Sequence, residues 1–319
     1  MSKSNRDEES KSWSPSEFVV EALDDKTRFH DLDLQDSLLR GVAELGFQYC
    51  SPIQAKILPH TLQGHDAIGK AQTGTGKTAA FLITIFNDLL CNPTEGERYL
   101  AEPRAVIIAP TRELVMQIAA DAEELGKFTG LQTVTMIGGA DYQKQLAKVQ
   151  SRVVDLVVAT PGRLIDHIES GYLSLHRTHT IVLDEADQMM DLGFFPAIRR
   201  IMGFLPAGHQ TLLLSATMPK QVRALADEFL VNPVDVSIGQ QSKPIEKINQ
   251  KILLVNQPSK KRLLVEILSD VFKAIVFTRT KHGADKVVRY LKEKGLESTA
   301  IHGNKSQGQR QRSLEMFKK

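Results

Sequence analysis

The sequence predicts an α/β fold in which helices cover both faces of a parallel β-sheet. Short β-branched runs alternate with longer helical stretches from about residue 29 to residue 239. The runs "AVIIAP", "VTMIGG", "DLVVATP", "TIVLDEAD", "TLLLSAT" and "VDVSI" are mostly apolar, which is typical of strands buried on both faces. The helical stretches between them provide the crossovers that a parallel sheet requires.

The first element in chain order is a short N-terminal helix. The polar residues 1–12 are expected to form a disordered tail. In "WSPSEF", Ser14 can cap a helix, Pro15 suits its first turn and Glu17 occupies the capping-box position. We therefore expect a helix to about Leu23, within an N-terminal extension that covers residues 1–28.

Two domains follow this extension. The first is predicted over residues 29–239, and the polar residues 240–247 form the expected linker. The strand–helix pattern then restarts, with "KILLVN", "AIVFT" and "STAIHG" as predicted strands and a helix after each. Residues 248–319 are too few for a full sheet of this type, so this second domain is expected to be incomplete.

Composition excludes several classes of protein. The 319 residues carry a net charge of +2, which permits an anionic partner without arguing for one. The only two cysteines, Cys50 and Cys91, are far apart, which argues against a disulfide framework or a zinc site. There is neither a signal-peptide pattern at the N-terminus nor an apolar run of the ~18–20 residues that a membrane helix needs, so the cytoplasm is the expected compartment.

The segment "AQTGTGKT" (71–78) fits the phosphate-loop pattern, with Ala71 where the stricter form has Gly. Its glycines allow backbone N–H groups to turn toward phosphate oxygens at the N-terminus of the following helix. Lys77 would reach the β- and γ-phosphates, and the Thr78 hydroxyl would bind Mg²⁺. The expected nucleotide ligands in this loop are Ala71, Thr73, Gly74, Thr75, Gly76, Lys77 and Thr78.

The apolar run "TIVL" leads directly into three acidic residues, Asp184, Glu185 and Asp187. A carboxylate at the end of a buried strand is costly unless it is compensated. A phosphate loop needs such a carboxylate to hold Mg²⁺, so Asp184 is the predicted ion ligand and Glu185 the predicted general base. The two motifs in one α/β domain predict catalysis by Lys77, Asp184 and Glu185.

Together with "GFQYCSPIQ" (46–54), "PTREL", "GG", "TPGR" and "SAT", these motifs resemble the DEAD-box RNA helicases of superfamily 2, from about residue 29 to the C-terminus. The resemblance implies RecA-like domains, ATP and Mg²⁺ as cofactors, and RNA as the partner. Gln54 is then expected to hydrogen-bond adenine and Phe29 to stack on its ring. Ser51 stands where Thr is commoner and keeps the hydroxyl.

The resemblance assigns RNA contacts to motifs that combine a strand end, a hydroxyl, an arginine and a helix start. Such sites suit phosphate oxygens and give affinity without reading base sequence. By the same resemblance, Asp187, Ser215 and Thr217 link the nucleotide and RNA sites. The RNA ligands expected in the first domain are Pro110, Thr111, Arg112, Gly138, Gly139, Thr160, Pro161, Gly162 and Arg163.

The second segment resembles most closely the bacterial RNA helicase E type, through "IVFTRTKHGADKV" and "IHGNKSQGQRQRSLEMFK". The family's later motifs, including an arginine finger, do not occur before Lys319, so a C-terminally truncated domain with limited activity is expected. The RNA contacts expected in this segment are Thr278, Arg279, Thr280, Gly303, Gln307 and Arg310.

An ATP-dependent RNA helicase is the function that these motifs favour. The alternative is an ATP-gated RNA-binding module without turnover. A small-molecule kinase or a GTPase is disfavoured, because the guanine signature Asn/Thr-Lys-x-Asp is absent from the sequence. DNA as the substrate stays open, because backbone contacts alone do not distinguish the two nucleic acids. The resemblance also points to protein partners in RNA decay or ribosome assembly, and to no membrane.

Overall fold

The computed structural model describes residues 13–94, 96–238 and 249–318. The chain divides into two compact units, Met1–Gln240 and Gln241–Lys319. The predicted disordered tail and the predicted linker lie outside the described residues. Among the helices that the structure describes, none is long and apolar enough to cross a lipid bilayer.

The first unit is built on a parallel sheet, as predicted. The described residues form seven strands in the order β3-β4-β2-β5-β6-β1-β7, and every neighbouring pair is parallel. The strands are β1 (Ala67–Lys70), β2 (Ala105–Ile108), β3 (Thr133–Met136), β4 (Leu156–Ala159), β5 (Thr180–Leu183), β6 (Gln210–Ser215) and β7 (Val234–Ser237).

Helices cover both faces of this sheet. The helices of the first unit are α1 (Asp36–Glu44), α2 (Pro52–Thr61), α3 (Lys77–Cys91), α4 (Arg112–Leu125), α5 (Tyr142–Ser151), α6 (Pro161–Glu169), α7 (Ala186–Asp191), α8 (Phe195–Met202) and α9 (Lys220–Phe229). Helices α1 to α4 pack on one face and α5 to α9 on the other. In β2, Ile107 belongs to the first core cluster, whereas Val106 and Ile108 belong to the second, as expected for alternating side chains.

Two details of the first unit differ from the sequence expectation. The predicted N-terminal helix is a 3-10 helix that ends at Glu17, before the β-branched Val19 and Val20, which are poor helix formers. Its capping box does form, because the backbone N–H of Ser14 donates to Glu17 Oε1 at 3.0 Å. In addition, β1 is absent from the apolar runs identified above, because "AIGK" is short and contains Gly and Lys.

The second unit contains the predicted helices without the predicted strands. Its helices are α10 (Lys260–Ser269), α11 (Lys281–Glu293) and α12 (Gln307–Lys318). The segments 251–256, 274–278 and 298–303 are not strands, and no backbone hydrogen bond joins them among the described residues. A strand is stabilised by ladder bonds to a neighbour and by burial; Leu254 and Phe277 are 98% and 93% exposed.

Candidate active site and candidate nucleic-acid interface

The candidate site lies at the edge of the sheet where the parallel strands have their carboxyl ends. Ligand sites of open α/β sheets form at this edge, because the loops after the strands meet there. The loop after β1 leads into α3, the loop after β5 into α7, and "SAT" ends β6 between them. The backbone N–H of Ala71 donates to the Ser215 carbonyl at 3.2 Å, which joins two of these loops.

Gly76 shapes the phosphate loop. It precedes α3 with φ of 93°, in the left-handed region that favours glycine. A Cβ there would lie 2.6 Å from Gln54 Nε2 and 2.9 Å from Ser51 Oγ. Gln54 donates to the Gly76 carbonyl at 3.0 Å and accepts from the Ser51 N–H at 2.7 Å. The structure therefore ties the segment 51–54 directly to the loop.

Lys77 begins α3 with its ammonium group inside the loop. The side chain is buried, and Nζ donates to the Ala71 carbonyl. Burial lowers the pKa of Lys77, while the nearby carboxylates of Asp184, Asp187 and Glu185 act in the opposite direction. A cation placed among these carboxylates matches the arrangement that a triphosphate and its counter-ion need.

Asp184 and Glu185 follow β5 in a strained turn. Asp184 is 4% exposed, and burial raises its pKa to about 6. Its Oδ1 accepts from the Glu185 N–H at 2.9 Å. Glu185 has φ of 51° and ψ of 50°, a left-handed conformation that is uncommon for a residue with a side chain and marks functional sites. Burial also raises the pKa of the Glu185 carboxyl.

Asp187 connects the end of β5 to the end of β6. Its Oδ2 accepts from the Thr217 hydroxyl at 2.7 Å and from the Thr217 N–H at 2.8 Å. The Asp187 N–H donates to Ser215 Oγ at 3.3 Å, and Ser215 donates to the Thr217 carbonyl at 2.6 Å. Although burial alone raises the pKa of Asp187, these bonds lower it below its usual value.

A cavity of about 530 Å³ opens beside the phosphate loop. Lys77, Thr78, Asp184 and Glu185 line it, together with Phe47. Phe47 is 38% exposed and so offers an aromatic face to a ligand.

Phe29 does not reach this cavity. It is fully buried, and its ring centroid lies 6.5 Å from that of Phe47. The stacking of Phe29 on adenine stays a prediction; because the ring is fully buried here, it requires the residues that cover Phe29 to move. Phe47 is not among the site residues expected from the sequence, although it stands in "GFQYCSPIQ" beside the glycine that opens this stretch.

The loops after β2 and β3 meet around Arg112. Thr111 caps α4, since its Oγ1 accepts from the Leu114 N–H at 3.2 Å. The Arg112 guanidinium lies over the glycine pair: a Cβ on Gly139 would lie 2.2 Å from its Nη1, and one on Gly138 would lie 3.6 Å from its Nη2. Gly139, with φ of 73°, thus leaves the space that this arginine fills. Pro110 precedes this cap.

The loop after β4 leads to Arg163 on α6. The Arg163 guanidinium donates to the Ala140 carbonyl at 3.4 and 3.5 Å, so it contacts the same glycine loop as Arg112. Thr160 is the N-cap residue of α6, Pro161 is its first residue, and Gly162 has open space around its Cα. The first-unit RNA candidates from "PTREL", "GG" and "TPGR" are therefore brought together by contacts.

Gln145 is a further residue of this loop that sequence reasoning missed. It is buried, its Oε1 accepts from the Ile137 N–H at 2.7 Å, and its Nε2 donates to the Ile137 and Asp141 carbonyls at 3.2 and 3.1 Å. One amide thus closes the loop 137–141. A glutamine six residues after the glycine pair was the available signal, but its contacts depend on the fold.

The second unit brings its own candidates together. Thr280 caps α11 by accepting from the Gly283 N–H at 3.0 Å, and Thr278 donates to the Thr280 carbonyl at 3.0 Å. Lys281 Nζ donates to Asn304 Oδ1 at 3.0 Å, which joins this turn to the turn that contains Gly303. Arg279 is exposed in the turn before α11. Gln307 and Arg310 lie at the start of α12.

Asp285 reinforces the junction in the second unit. Its carboxylate oxygens lie 3.0 Å from Lys305 Nζ and 3.1 Å from His302 Nε2. These partners lower the pKa of Asp285. The turn before α11 and the turn before α12 thus form one polar surface with several exposed cations.

Known proteins are similar to this chain in sequence. Residues 51–225 match the DEAD/DEAH box helicase family, and residues 259–319 match the helicase conserved C-terminal domain. The chain is 44% identical over 304 residues to the ATP-dependent RNA helicase RhlB of Pseudomonas aeruginosa, which covers 94% of this chain and 77% of that protein. It is 41% identical over 296 residues to the DEAD-box ATP-dependent RNA helicase RhpA of Helicobacter pylori, covering 92% and 58%.

A solved structure is also similar. The crystal structure of a DEAD box protein from the hyperthermophile Methanococcus jannaschii aligns with a TM-score of 0.61 at 31% identity. The alignment covers 91% of this chain and 77% of that one.

Proposed function

The chain belongs to the DEAD/DEAH box helicase family, and on that premise we propose how its residues bind and hydrolyse ATP and bind RNA. It is a DEAD-box ATP-dependent RNA helicase. The relatives reported above are named RhlB and RhpA, so the RNA helicase E subtype stays a prediction.

One observation carries the assignment of the ATP site. Lys77 begins the helix that follows β1, Asp184 and Glu185 directly follow β5, and all three line one cavity. In phosphate-loop enzymes, a lysine and backbone amides at a helix N-terminus bind the phosphates. We assign this role to Lys77 and the loop 71–76, with the cavity receiving the rest of the nucleotide.

Asp184 and Thr78 fit an Mg²⁺ ion. Asp184 is a deeply buried carboxylate with a raised pKa, and such a group needs a compensating cation to ionise. The Thr78 hydroxyl lines the same cavity, and oxygen ligands of both kinds suit Mg²⁺. When bound, the ion would neutralise charge on the transferring phosphoryl group.

Glu185 is the proposed general base. Its pKa is raised above the usual value of a carboxyl group and so lies closer to pH 7. A base whose pKa is near the working pH is more effective in proton transfer. Glu185 is the N-cap residue of α7, and its left-handed backbone conformation lies outside the helix. Its side chain lines the cavity. Glu185 would accept the proton of the attacking water as the water adds to the γ-phosphorus and ADP leaves.

Gln54 and Phe47 are the proposed ligands of the base. Phe47 presents a ring in the cavity, and stacking tolerates any base. The Gln54 amide supplies hydrogen bonds that discriminate one base from another. Its contacts with Ser51 and Gly76 hold it beside the phosphate loop.

The RNA backbone is the proposed ligand of the clustered loops around Arg112 and Arg163. Helix N-termini and arginines beside glycine-rich backbone suit phosphate oxygens. The corresponding surface of the second unit is formed by the turns at Thr280 and Gly303. Asp187 and Thr217, joined by two hydrogen bonds, would transmit changes at the ATP site to the end of β6.

The test of this function is ATP hydrolysis by the full chain, measured with and without single-stranded RNA. We expect RNA to stimulate turnover, because ATP and RNA binding are coupled in this reaction. Unchanged turnover with RNA present would contradict the coupling. ATP binding without any turnover would instead favour the ATP-gated binding module.

The nucleic-acid preference is tested by competition. RNA and DNA of one sequence should compete unequally for the chain in the presence of an ATP analogue, because only RNA offers the 2′-hydroxyl. Equal competition would contradict an RNA-specific enzyme.

A further inference from the structure

Tyr142, the first residue of α5, contacts two side chains of α6. Its ring centroid lies 4.4 Å from that of His167, and the two ring planes are inclined by 13°. The Arg163 guanidinium carbon lies 5.1 Å from the Tyr142 centroid. Arg163 and His167 are four residues apart on α6, so both face the start of α5.

His167 contributes a neutral surface to this group. It is fully buried, and neither ring nitrogen has a hydrogen-bond partner among the described residues. Burial lowers the pKa of His167, and the neighbouring Arg163 acts in the same direction. Arg163 is therefore the single cation of the Tyr142–Arg163–His167 group at neutral pH.

Arg163 depends on this group for its orientation. Its side chain is 11% exposed, so the guanidinium has little freedom. Its two bonds to the Ala140 carbonyl, at 3.4 and 3.5 Å, are at the limit of hydrogen-bond length, and Asp166 is 4.0 Å away. The aromatic face of Tyr142, with its centroid 5.1 Å from the guanidinium carbon, is a further contact that restrains the plane of the guanidinium.

The start of α5 is itself fixed. Asp141 caps the helix by accepting from the Lys144 N–H at 3.1 Å, and Gln145 holds the loop before it through three hydrogen bonds. Tyr142 therefore projects from a rigid helix start, and its ring is a stable support rather than a mobile surface side chain.

We propose that Tyr142 is a positioning residue for RNA binding, whose ring holds the Arg163 guanidinium in the orientation that contacts the RNA backbone. The proposal rests on the RNA-binding role of Arg163 given above. Tyr142 need not touch RNA, because it acts through the arginine. It also links the glycine loop, which the Arg112 guanidinium contacts, to α6, which carries Arg163.

The test compares four variants: Tyr142→Leu, Tyr142→Phe, Arg163→Ala and the double variant Tyr142→Leu/Arg163→Ala. Binding of a labelled single-stranded oligoribonucleotide is measured by fluorescence anisotropy at several salt concentrations, with Mg²⁺ and a non-hydrolysable ATP analogue. We expect Tyr142→Leu to weaken RNA binding about three- to tenfold and Tyr142→Phe, which keeps the ring, to stay within about twofold. ATP-analogue affinity, measured without RNA, should be unchanged in Tyr142→Leu and Tyr142→Phe.

Coupling distinguishes positioning from general packing. The double variant should bind RNA no more weakly than Arg163→Ala, because Tyr142 acts through that arginine. The salt slope of RNA binding should decrease by about 0.7 for Arg163→Ala and by a smaller amount for Tyr142→Leu. Additive losses in the double variant would overturn the proposal.

The remaining outcomes separate this proposal from the proposed function. Wild-type RNA affinity in Tyr142→Leu, with a loss in Arg163→Ala, overturns the positioning role alone. Unchanged affinity in Arg163→Ala overturns the RNA contact itself. If Tyr142→Leu lowers the melting temperature, Tyr142→Met, which fills a similar volume without a ring face, is judged by the same criteria.

Discussion

The two units of the chain have opposite charge. Residues 13–238 hold 19 lysines and arginines against 28 acidic residues, whereas residues 249–318 hold 15 against six. The net charge of +2 hides this difference. In the first unit, Lys77 and Arg163 are fixed by neighbouring carbonyls and are largely buried. In the second unit, most cations are exposed on helices and turns.

This contrast indicates two ways of binding polyanions. The acidic unit would bind through a few cations that the fold holds in place, since its overall field repels RNA. The basic unit would attract RNA through many exposed cations, each of small effect and sensitive to salt. On this comparison, ATP hydrolysis and oriented contacts with ATP and RNA are expected to depend on single residues of the first unit. Attraction of RNA by exposed, screened charges is expected to depend on the second unit.

The largest effect is expected at Glu185. Glu185→Gln should lower the rate of ATP hydrolysis at least ~100-fold and leave ATP affinity unchanged, because the amide keeps the shape and loses the basic oxygen. Steady-state hydrolysis and equilibrium nucleotide binding provide the two measurements. Asp191→Asn, at the exposed end of α7, and Glu266→Gln, in the second unit, are matched controls. If Glu185→Gln hydrolyses ATP at the wild-type rate, Glu185 is not the general base.

Lys77→Ala comes next. Loss of the ammonium group should weaken ATP binding roughly 10- to 100-fold, as expected for a charge-assisted hydrogen bond to phosphate. Lys56→Ala, on the exposed side of α2, should leave ATP binding unchanged. Titration calorimetry with ATP measures both. An equal loss in the two variants would show that overall charge, rather than the phosphate loop, governs ATP affinity.

A smaller effect is expected from the cations of the second unit. Lys286→Ala and Arg289→Ala on α11 should each weaken RNA binding about twofold at low salt and not at all at high salt, because exposed charges are screened. The loss in Arg163→Ala should decrease with added salt according to its slope difference of about 0.7 and still be measurable at high salt, since that side chain is largely buried. Anisotropy titrations over a salt series would show the difference. A salt-resistant loss at Lys286 or Arg289 would contradict diffuse attraction.

The smallest effect concerns pH. Burial lowers the pKa of His167, so the folded first unit takes up its proton less readily than the unfolded chain. The resulting stability is present above the unfolded-state pKa near 6.5 and decreases as pH falls through the lower folded-state value. His167→Phe should reduce this acid sensitivity.

Fluorescence of Trp13 measures this effect in the first unit. Trp13 is the single tryptophan and packs against the first core cluster, so it reports on unfolding of that unit. Denaturation at pH 7 and pH 5 gives the comparison. His302→Gln, in the second unit, is the control and should not change the signal. A pH dependence that persists in His167→Phe would assign it to another group.

The accuracy of the sequence predictions also differs between the units. In the first, apolar runs identified six of the seven described strands, because strands buried on both faces are marked by composition. In the second, similar runs predicted strands that do not form, because a run cannot show whether a neighbouring strand is present to complete the ladder.

Motif residues could be placed from sequence, but their contacts could not. The phosphate loop and the acidic residues after β5 follow from local patterns, and the structure brings them to one cavity. The roles of Phe47, Tyr142 and Gln145 depend on how separate loops approach one another, which no local pattern records. Phe29 differs from these residues, because the family resemblance assigns it to the base and the fold buries its ring.

The amide of Gln54 has one further consequence. Its oxygen and nitrogen are bonded to Ser51 and to the carbonyl of Gly76, the residue before α3. A base that displaces either hydrogen bond alters the free energy of the phosphate loop and so its affinity for phosphates. By linkage, bound phosphates alter the affinity for the base by the same factor. If Gln54 binds the base as proposed, base identity and triphosphate affinity are coupled, and a nucleotide with the wrong base should lose affinity partly through its phosphates.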